Sequence, residues 1–201
     1  MLYSFLTSLV DSFSFLNVFK YITFRIGLSV VTSLIIIFLI GNPLIKYFSK
    51  KQITGPIRHD GPIDHIIKKT GTPTMGGLMI LIGIITSTLM WADLTNIFIW
   101  IVLFVCTSLG ILGFIDDYLK IKYKNSSGIN AKAKFFWQLI ISLAAILFLI
   151  YFSEHQTITN LYFPFFKNVV WHMGLFFIPF GIFVIIGSSN AVNLTDGLDG
   201  L

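Results

Sequence analysis

The chain has 201 residues, of which 55% are hydrophobic and only 11% charged, against about 25% charged in an ordinary soluble domain. With 21 Phe and a mean hydropathy of +0.85, a 22.7 kDa globule has too little interior to hide its apolar surface, which excludes both a water-soluble enzyme and a disordered chain. The lone Cys106 excludes a disulfide scaffold and a cysteine-based metal site, and in this composition a net charge of +5 speaks to membrane orientation rather than to nucleic acid.

Residues 1–19 lack the basic start of a signal peptide. Leu2, Phe5, Leu6, Leu9, Phe13 and Leu16 recur at helical spacing, which predicts an interfacial helix. A bilayer core of about 30 Å needs about 20 apolar helical residues. Five such runs follow, at Tyr21–Ile40, Thr72–Trp91, Ile97–Ile115, Phe135–Phe152 and Val170–Ser188. Arg25 lies near one end of the first, where its long side chain reaches the headgroups, and His172 lies near the start of the fifth. The predicted fold class is all-α: a single polytopic membrane domain over 1–201, with about five transmembrane helices and an N-terminal interfacial helix. No internal repeat and no long linker divides it.

Lys and Arg flanking membrane spans are retained in the cytoplasm. The connection 41–71 carries Lys46, Lys50, Lys51, Arg58, Lys68 and Lys69, and the connection 116–134 carries Lys120, Lys122, Lys124, Lys132 and Lys134, which is eleven of the 14 basic residues. Both connections are therefore expected in the cytoplasm, with the N-terminus outside and Leu201 inside. Asp60, Asp64, Asp116, Asp117, Asp196 and Asp199 then fall on the same cytoplasmic side, leaving Asp11, Asp93 and Glu154 outside.

Asp116 and Asp117 close the third predicted span, where they repel each other and face the negative end of the helix dipole, so a cation is expected beside them. Hard carboxylate oxygens at a membrane boundary suit Mg²⁺ held together with phosphates; the plainer reading is an interface marker paired with Lys120 or Lys122. Asn190, Asn193, Asp196 and Asp199 sit in the polar stretch 188–200 after the fifth span, either as ligands for a sugar or base or as a polar turn leaving the membrane. The sequon Asn193-Leu194-Thr195 is discounted because it falls on the cytoplasmic side. Lys69 precedes Thr70-Gly71-Thr72-Pro73-Thr74, either a phosphate cradle or a capped helix entrance, and is not a Walker A loop. Lys132 and Lys134, ahead of Phe135-Phe136-Trp137, read as an interfacial anchor or as a lipid-phosphate site. The four histidines His59, His65, His155 and His172 form no zinc-ligand pattern.

Asp60-Gly61-Pro62 with His65, Gly71-Thr72-Pro73-Thr74-Met75-Gly76-Gly77, Gly113-Phe114-Ile115-Asp116-Asp117-Tyr118 and the run from Asn190 to Gly200 occur in one order. Together they resemble the phospho-N-acetylmuramoyl-pentapeptide transferase (translocase I) family, a branch of the polyprenyl-phosphate hexosamine-1-phosphate transferases, from about Phe15 to Leu201. The resemblance implies a Mg²⁺-dependent transfer of phospho-MurNAc-pentapeptide from its UDP donor to undecaprenyl phosphate. The products are lipid I and UMP, and the reaction belongs at the cytoplasmic face of a bacterial inner membrane. It implies that Asp116 and Asp117 are the catalytic and metal-site acids, with Asp117 a candidate base toward the lipid phosphate. Lys69, Asn193, Asp196 and Asp199 would contact the nucleotide sugar and Lys134 a phosphate. The bilayer and the two substrates are the implied partners, nucleic acid is not, and homodimerisation is left open.

Members of that family have ten spans and well over 300 residues, with a further cytoplasmic aspartate and a His-rich motif in the active site. This chain is accordingly expected to be the N-terminal half of the family domain, to bind Mg²⁺–nucleotide weakly by itself and to turn over lipid I undetectably. A sister transferase for another UDP-hexosamine, a transporter subunit with a Mg²⁺ vestibule and a non-catalytic membrane fragment are the competing readings.

Overall fold

The computed structural model describes residues 1–50, 76–123, 128–153, 156–163, 165–166 and 169–195. They form two compact units, Met1–Asn130 and Ala131–Leu201. Six helices carry the fold: α1 (Leu2–Ser8), α2 (Ile22–Lys50), α3 (Gly77–Trp91), α4 (Ile97–Tyr123), α5 (Ala131–Phe152) and α6 (Phe177–Thr195). A small antiparallel hairpin of β1 (Asn160–Tyr162) and β2 (Val170–His172) joins the last two.

Among the described residues, four helical segments are long and apolar enough to cross a membrane: Ile22–Lys50, Ile97–Tyr123, Ala131–Phe152 and Gly174–Asn193. Their outward faces carry large apolar side chains, such as Phe38 at 76% exposure and Phe183 at 74%. Contiguous apolar surface on this scale is untenable in water and is what acyl chains cover. The protein is a polytopic helical membrane protein. The remaining predicted span is a described apolar helix of 15 residues, α3, and its predicted start at Thr72–Met75 lies outside the described residues.

In the first unit the chain begins with α1 and, after a turn, a 3₁₀ segment at Ser14–Lys20, in place of one continuous interfacial helix. Ser8, Asp11, Ser12 and Ser14 interrupt the apolar stripe with side chains that compete for backbone hydrogen bonds; Ser8 Oγ, for instance, donates to the Phe5 carbonyl at 2.8 Å. Of the six stripe residues only Leu16 is buried. The amino terminus donates to the Leu89 carbonyl at 2.9 Å, and Arg25 stacks its guanidinium 4.0 Å from the Tyr3 ring centroid.

Helix α2 runs ten residues past the predicted end at Ile40 and carries Pro43 within it. At 1.5 Å per residue it is about 44 Å long, more than one bilayer core. A proline removes one helical hydrogen bond, which membrane helices accommodate through neighbouring elements. Helices α2 and α3 are antiparallel: Trp91 Nε1 donates to Thr32 Oγ1 at 2.9 Å near one end, while Gly41 faces Met79 near the other. Helix α4 returns antiparallel to α3 after the short loop 92–96, with Gly110 against Leu81. A Cβ on Gly110 would come within 2.7 Å of the Leu81 side chain, so the small residue lets these helices approach. In the loop, Asp93 Oδ1 accepts from the Thr95 hydroxyl at 2.7 Å and from its amide at 3.1 Å, and these bonds hold the carboxyl below its usual range.

In the second unit α5 packs on α6 around Ser142, Ala145, Ile146 and Ile186, all buried. The predicted fifth span is corrected here. Val170-Trp171-His172 pairs with Asn160-Leu161-Tyr162 as a strand, and α6 starts only at Phe177. β-Branched and aromatic side chains suit the strand, and Asn160 Oδ1 sits 2.8 Å from His172 Nδ1 across the pair. Pro179 falls in the first turn of α6, where a missing N–H is tolerated. At its other end α6 continues past Ser188 to Thr195.

Candidate active site

Asp116 and Asp117 belong to α4, which does not stop at Ile115 as predicted but runs to Tyr123. Asp116 is about 29 Å along the axis from Ile97, where a bilayer core of about 30 Å gives way to headgroups. The acids therefore stand where a charge is tolerated, about two turns inside the helix end. This corrects the expected opposition from the helix dipole, which is felt mainly in the last turn. The last turn holds Lys120 and Lys122. Antiparallel packing places the acids at the end of the first unit where α2 stops at Lys50 and α3 begins at Gly77.

The expected cation is Lys120. Its Nζ lies 2.6 Å from Asp116 Oδ2 and 3.3 Å from Asp117 Oδ1, the i,i+4 and i,i+3 contacts of one helical face. Lys122 instead lies over the Tyr123 ring, 5.6 Å from its centroid. The two carboxylates differ in surroundings. Asp116 has a side chain only 10% exposed and accepts the Ile129 backbone N–H at 2.7 Å on Oδ1, whereas the Asp117 side chain is 38% exposed. As oxygen donors the pair fits a hard divalent ion that also takes phosphate ligands, with Asp117 the more accessible of the two. Among the described residues no group of three or more His, Cys, Asp or Glu side chains forms a preassembled metal cage.

In the second unit, Lys134 stands in the first turn of α5, and Asn190 and Asn193 stand near the end of α6. The polar stretch is thus helical as far as Thr195, so the polar-turn reading fails for its described part. With little water to take up freed backbone groups, a helix keeps its ladder and carries Asn and Ser as side chains. Asn190 is engaged within the fold: its Nδ2 donates to Gln138 Oε1 at 3.0 Å and to the Ile186 carbonyl at 2.9 Å. Gln138 Nε2 reaches Asn190 Oδ1 and Ser189 Oγ, both at 3.4 Å, and is 2% exposed as a residue. Gln138 adds a polar contact beyond the predicted site residues; its signal in the sequence is a lone amide in the apolar run Phe135–Phe152. Asn193 is exposed on the same end of the unit. Lys69, Asp196 and Asp199 lie outside the described residues.

Because Gln138 ties α5 to α6, Gln138→Leu should destabilise the folded protein by about 0.6–2 kcal/mol, the range for an interhelical hydrogen bond in a membrane protein. Thermal unfolding in detergent measures this, and an unchanged midpoint would remove the network from the account.

A family model described as "Glycosyl transferase family 4" matches residues 99–201, the stretch that holds the acid pair, Lys134 and the whole of α6. The chain belongs to this family. Curated relatives agree with the assignment. A protein named phospho-N-acetylmuramoyl-pentapeptide-transferase from Pelagibacter ubique is 58% identical over all 201 residues, covering 56% of that relative. Proteins of the same name from Thermodesulfovibrio yellowstonii and Citrifermentans bemidjiense are 49% and 47% identical over the whole chain, each covered to 55%. The chain spans about half the length of the curated relatives it matches.

Proposed function

We propose that this chain serves the transfer of phospho-MurNAc-pentapeptide from UDP-MurNAc-pentapeptide to undecaprenyl phosphate, yielding lipid I and UMP, at the cytoplasmic face of a bacterial inner membrane. The observation that carries the reading is the acid pair Asp116–Asp117, bridged by Lys120 at the membrane-boundary end of α4 in a chain 58% identical to a relative bearing that name. In this reaction an oxygen of the lipid phosphate attacks the sugar-bound phosphorus, the bond from that phosphorus to the UMP oxygen breaks, and UMP leaves with the electron pair. Two anionic phosphates must approach each other, so charge neutralisation dominates the barrier.

Mg²⁺, held by Asp117 and Asp116, would supply that neutralisation when bound. Asp117, the more exposed acid, is the group suited to receive a proton from the lipid phosphate or to meet the ion. Asp116 orients Lys120, whose ammonium adds positive charge beside the pair. Lys134 is suited to a phosphate, and Lys69, Asn193, Asp196 and Asp199 to the nucleotide sugar; Asn190 supports them by fixing α6 on α5.

The substrate is tested with this sequence joined to the remainder of the Pelagibacter ubique relative, so that the relatives' full length is present, in vesicles with undecaprenyl phosphate, Mg²⁺ and either UDP-MurNAc-pentapeptide or UDP-GlcNAc. Lipid-linked product from the first donor alone is expected; product from UDP-GlcNAc alone would move the chain to a sister transferase. The cytoplasmic placement has its own test. In a Cys106→Ala background, Ser126→Cys should react with an impermeant maleimide only after sealed cells are permeabilised, and ready labelling of intact cells would reverse the orientation.

A further inference from the structure

Beyond the end of α4 the chain returns to the acid pair, and the residue at the point of return is Gly128. Its φ is +58°, a left-handed conformation that glycine adopts freely and other residues rarely do. Space demands the same residue: a Cβ there would collide with Asp116 Oδ1 and come within 2.8 Å of Lys120 Cε. The next residue donates its amide, Ile129 N to Asp116 Oδ1, at 2.7 Å, a charge-assisted hydrogen bond of ideal length. Asp116 is thus held on one oxygen by a backbone amide and on the other by Lys120 Nζ at 2.6 Å, while Asp117 meets Lys120 at the longer 3.3 Å and stays open to solvent.

We infer that Gly128 is a positioning residue: by letting the backbone close against Asp116 it places the Ile129 amide on that carboxylate and fixes Lys120, so that the two adjacent acids act as one held and one available group. The inference rests on the reading of the acid pair given under Proposed function. A rigid first carboxylate matters because adjacent acids on a helix otherwise exchange the shared lysine, and a reacting group misplaced by about 1 Å loses about a hundredfold in rate.

The test reads the latch without requiring activity. In the full chain labelled with ¹⁵N-isoleucine in detergent, the Ile129 amide should exchange slowly with solvent. Asp116→Ala, which removes the acceptor, should accelerate it at least about tenfold; Asp116→Asn, which keeps a carbonyl acceptor, and Asp117→Ala should leave it within about threefold. Gly128→Ala should accelerate it as much as Asp116→Ala does. With the sequence joined to the remainder of the Pelagibacter ubique relative, in vesicles with both substrates, Gly128→Ala should lower kcat about tenfold to a hundredfold with KM for UDP-MurNAc-pentapeptide within about twofold. Fast Ile129 exchange in the unsubstituted protein, or Asp116→Ala without effect on it, overturns the inference, and so does a Gly128→Ala protein with normal exchange and normal kcat. Should Gly128→Ala fail to fold, the contrast between Asp116→Ala and Asp116→Asn decides alone. Absence of transfer by the unsubstituted joined protein overturns the proposed function, and with it the catalytic consequence of the latch, whereas the exchange pattern judges the latch itself.

Discussion

With this sequence joined to the remainder of a full-length relative, Asp117→Asn is expected to lower transfer by about 10²–10⁴-fold while leaving the protein inserted and folded. Asparagine matches aspartate in shape, and the Asp117 side chain is 38% exposed, so little packing depends on its charge. What the substitution removes is the negative charge and the proton-accepting capacity of the more accessible acid. A contribution to chemistry then appears as a rate loss with an unchanged melting transition. Turnover within a few-fold of the unsubstituted protein would take Asp117 out of the mechanism and favour an acid pair that only marks the interface.

Lys120→Met should act on stability as well as on rate. Asp116 is 10% exposed at its side chain and pairs with Lys120 at 2.6 Å, so removal of the lysine leaves a largely desolvated carboxylate short of its counter-charge. Breaking a buried pair from one side costs about 3–5 kcal/mol, and the 29% exposure of Lys120 places this case near the lower figure. The cost belongs to the carboxylate that has lost its lysine, so adding Asp116→Asn to Lys120→Met should restore much of the lost stability. Thermal unfolding of the two single variants and the double variant measures the coupling. Additive losses would show that the two residues do not act as a pair.

The membrane spans were legible because their signal is collective: twenty apolar residues in a row leave few alternatives. Their ends were not. The apolar run of α4 stops at Ile115, but the helix continues through Asp116 and Lys120 because i,i+3 and i,i+4 pairing and the backbone ladder hold it together where hydropathy falls. The same holds at Ser188–Thr195, whose polar residues resemble a turn yet stay helical, with Asn190 bonded to Gln138 on the neighbouring helix. Hydropathy alone carries the fifth span over Val170–His172; a three-residue strand is too short to show a period of two, and its partner lies ten residues away in sequence.

At the candidate site, Asp116 and Asp117 stand out as adjacent acids beside a membrane span, but the sequence leaves Lys120 and Lys122 as equal candidates for their partner, and the fold selects Lys120. Gly128 does not stand out, since its meaning depends on the chain folding back onto Asp116, a tertiary contact that no local pattern encodes. Gln138 was visible as an isolated amide, but which helix it bonds was not.

The central claim, that the acid pair serves phosphoryl-sugar transfer from a UDP donor to a lipid phosphate, is tested most directly by exchange of labelled UMP into UDP-MurNAc-pentapeptide. The assay uses this sequence joined to the remainder of the Pelagibacter ubique relative, in vesicles holding undecaprenyl phosphate, with Mg²⁺ or with a chelator. Exchange is expected to require both Mg²⁺ and the lipid phosphate and to disappear with Asp117→Asn; exchange that persists in the chelator or in the Asp117→Asn protein, or no exchange under any condition, would show that the acid pair does not serve this transfer.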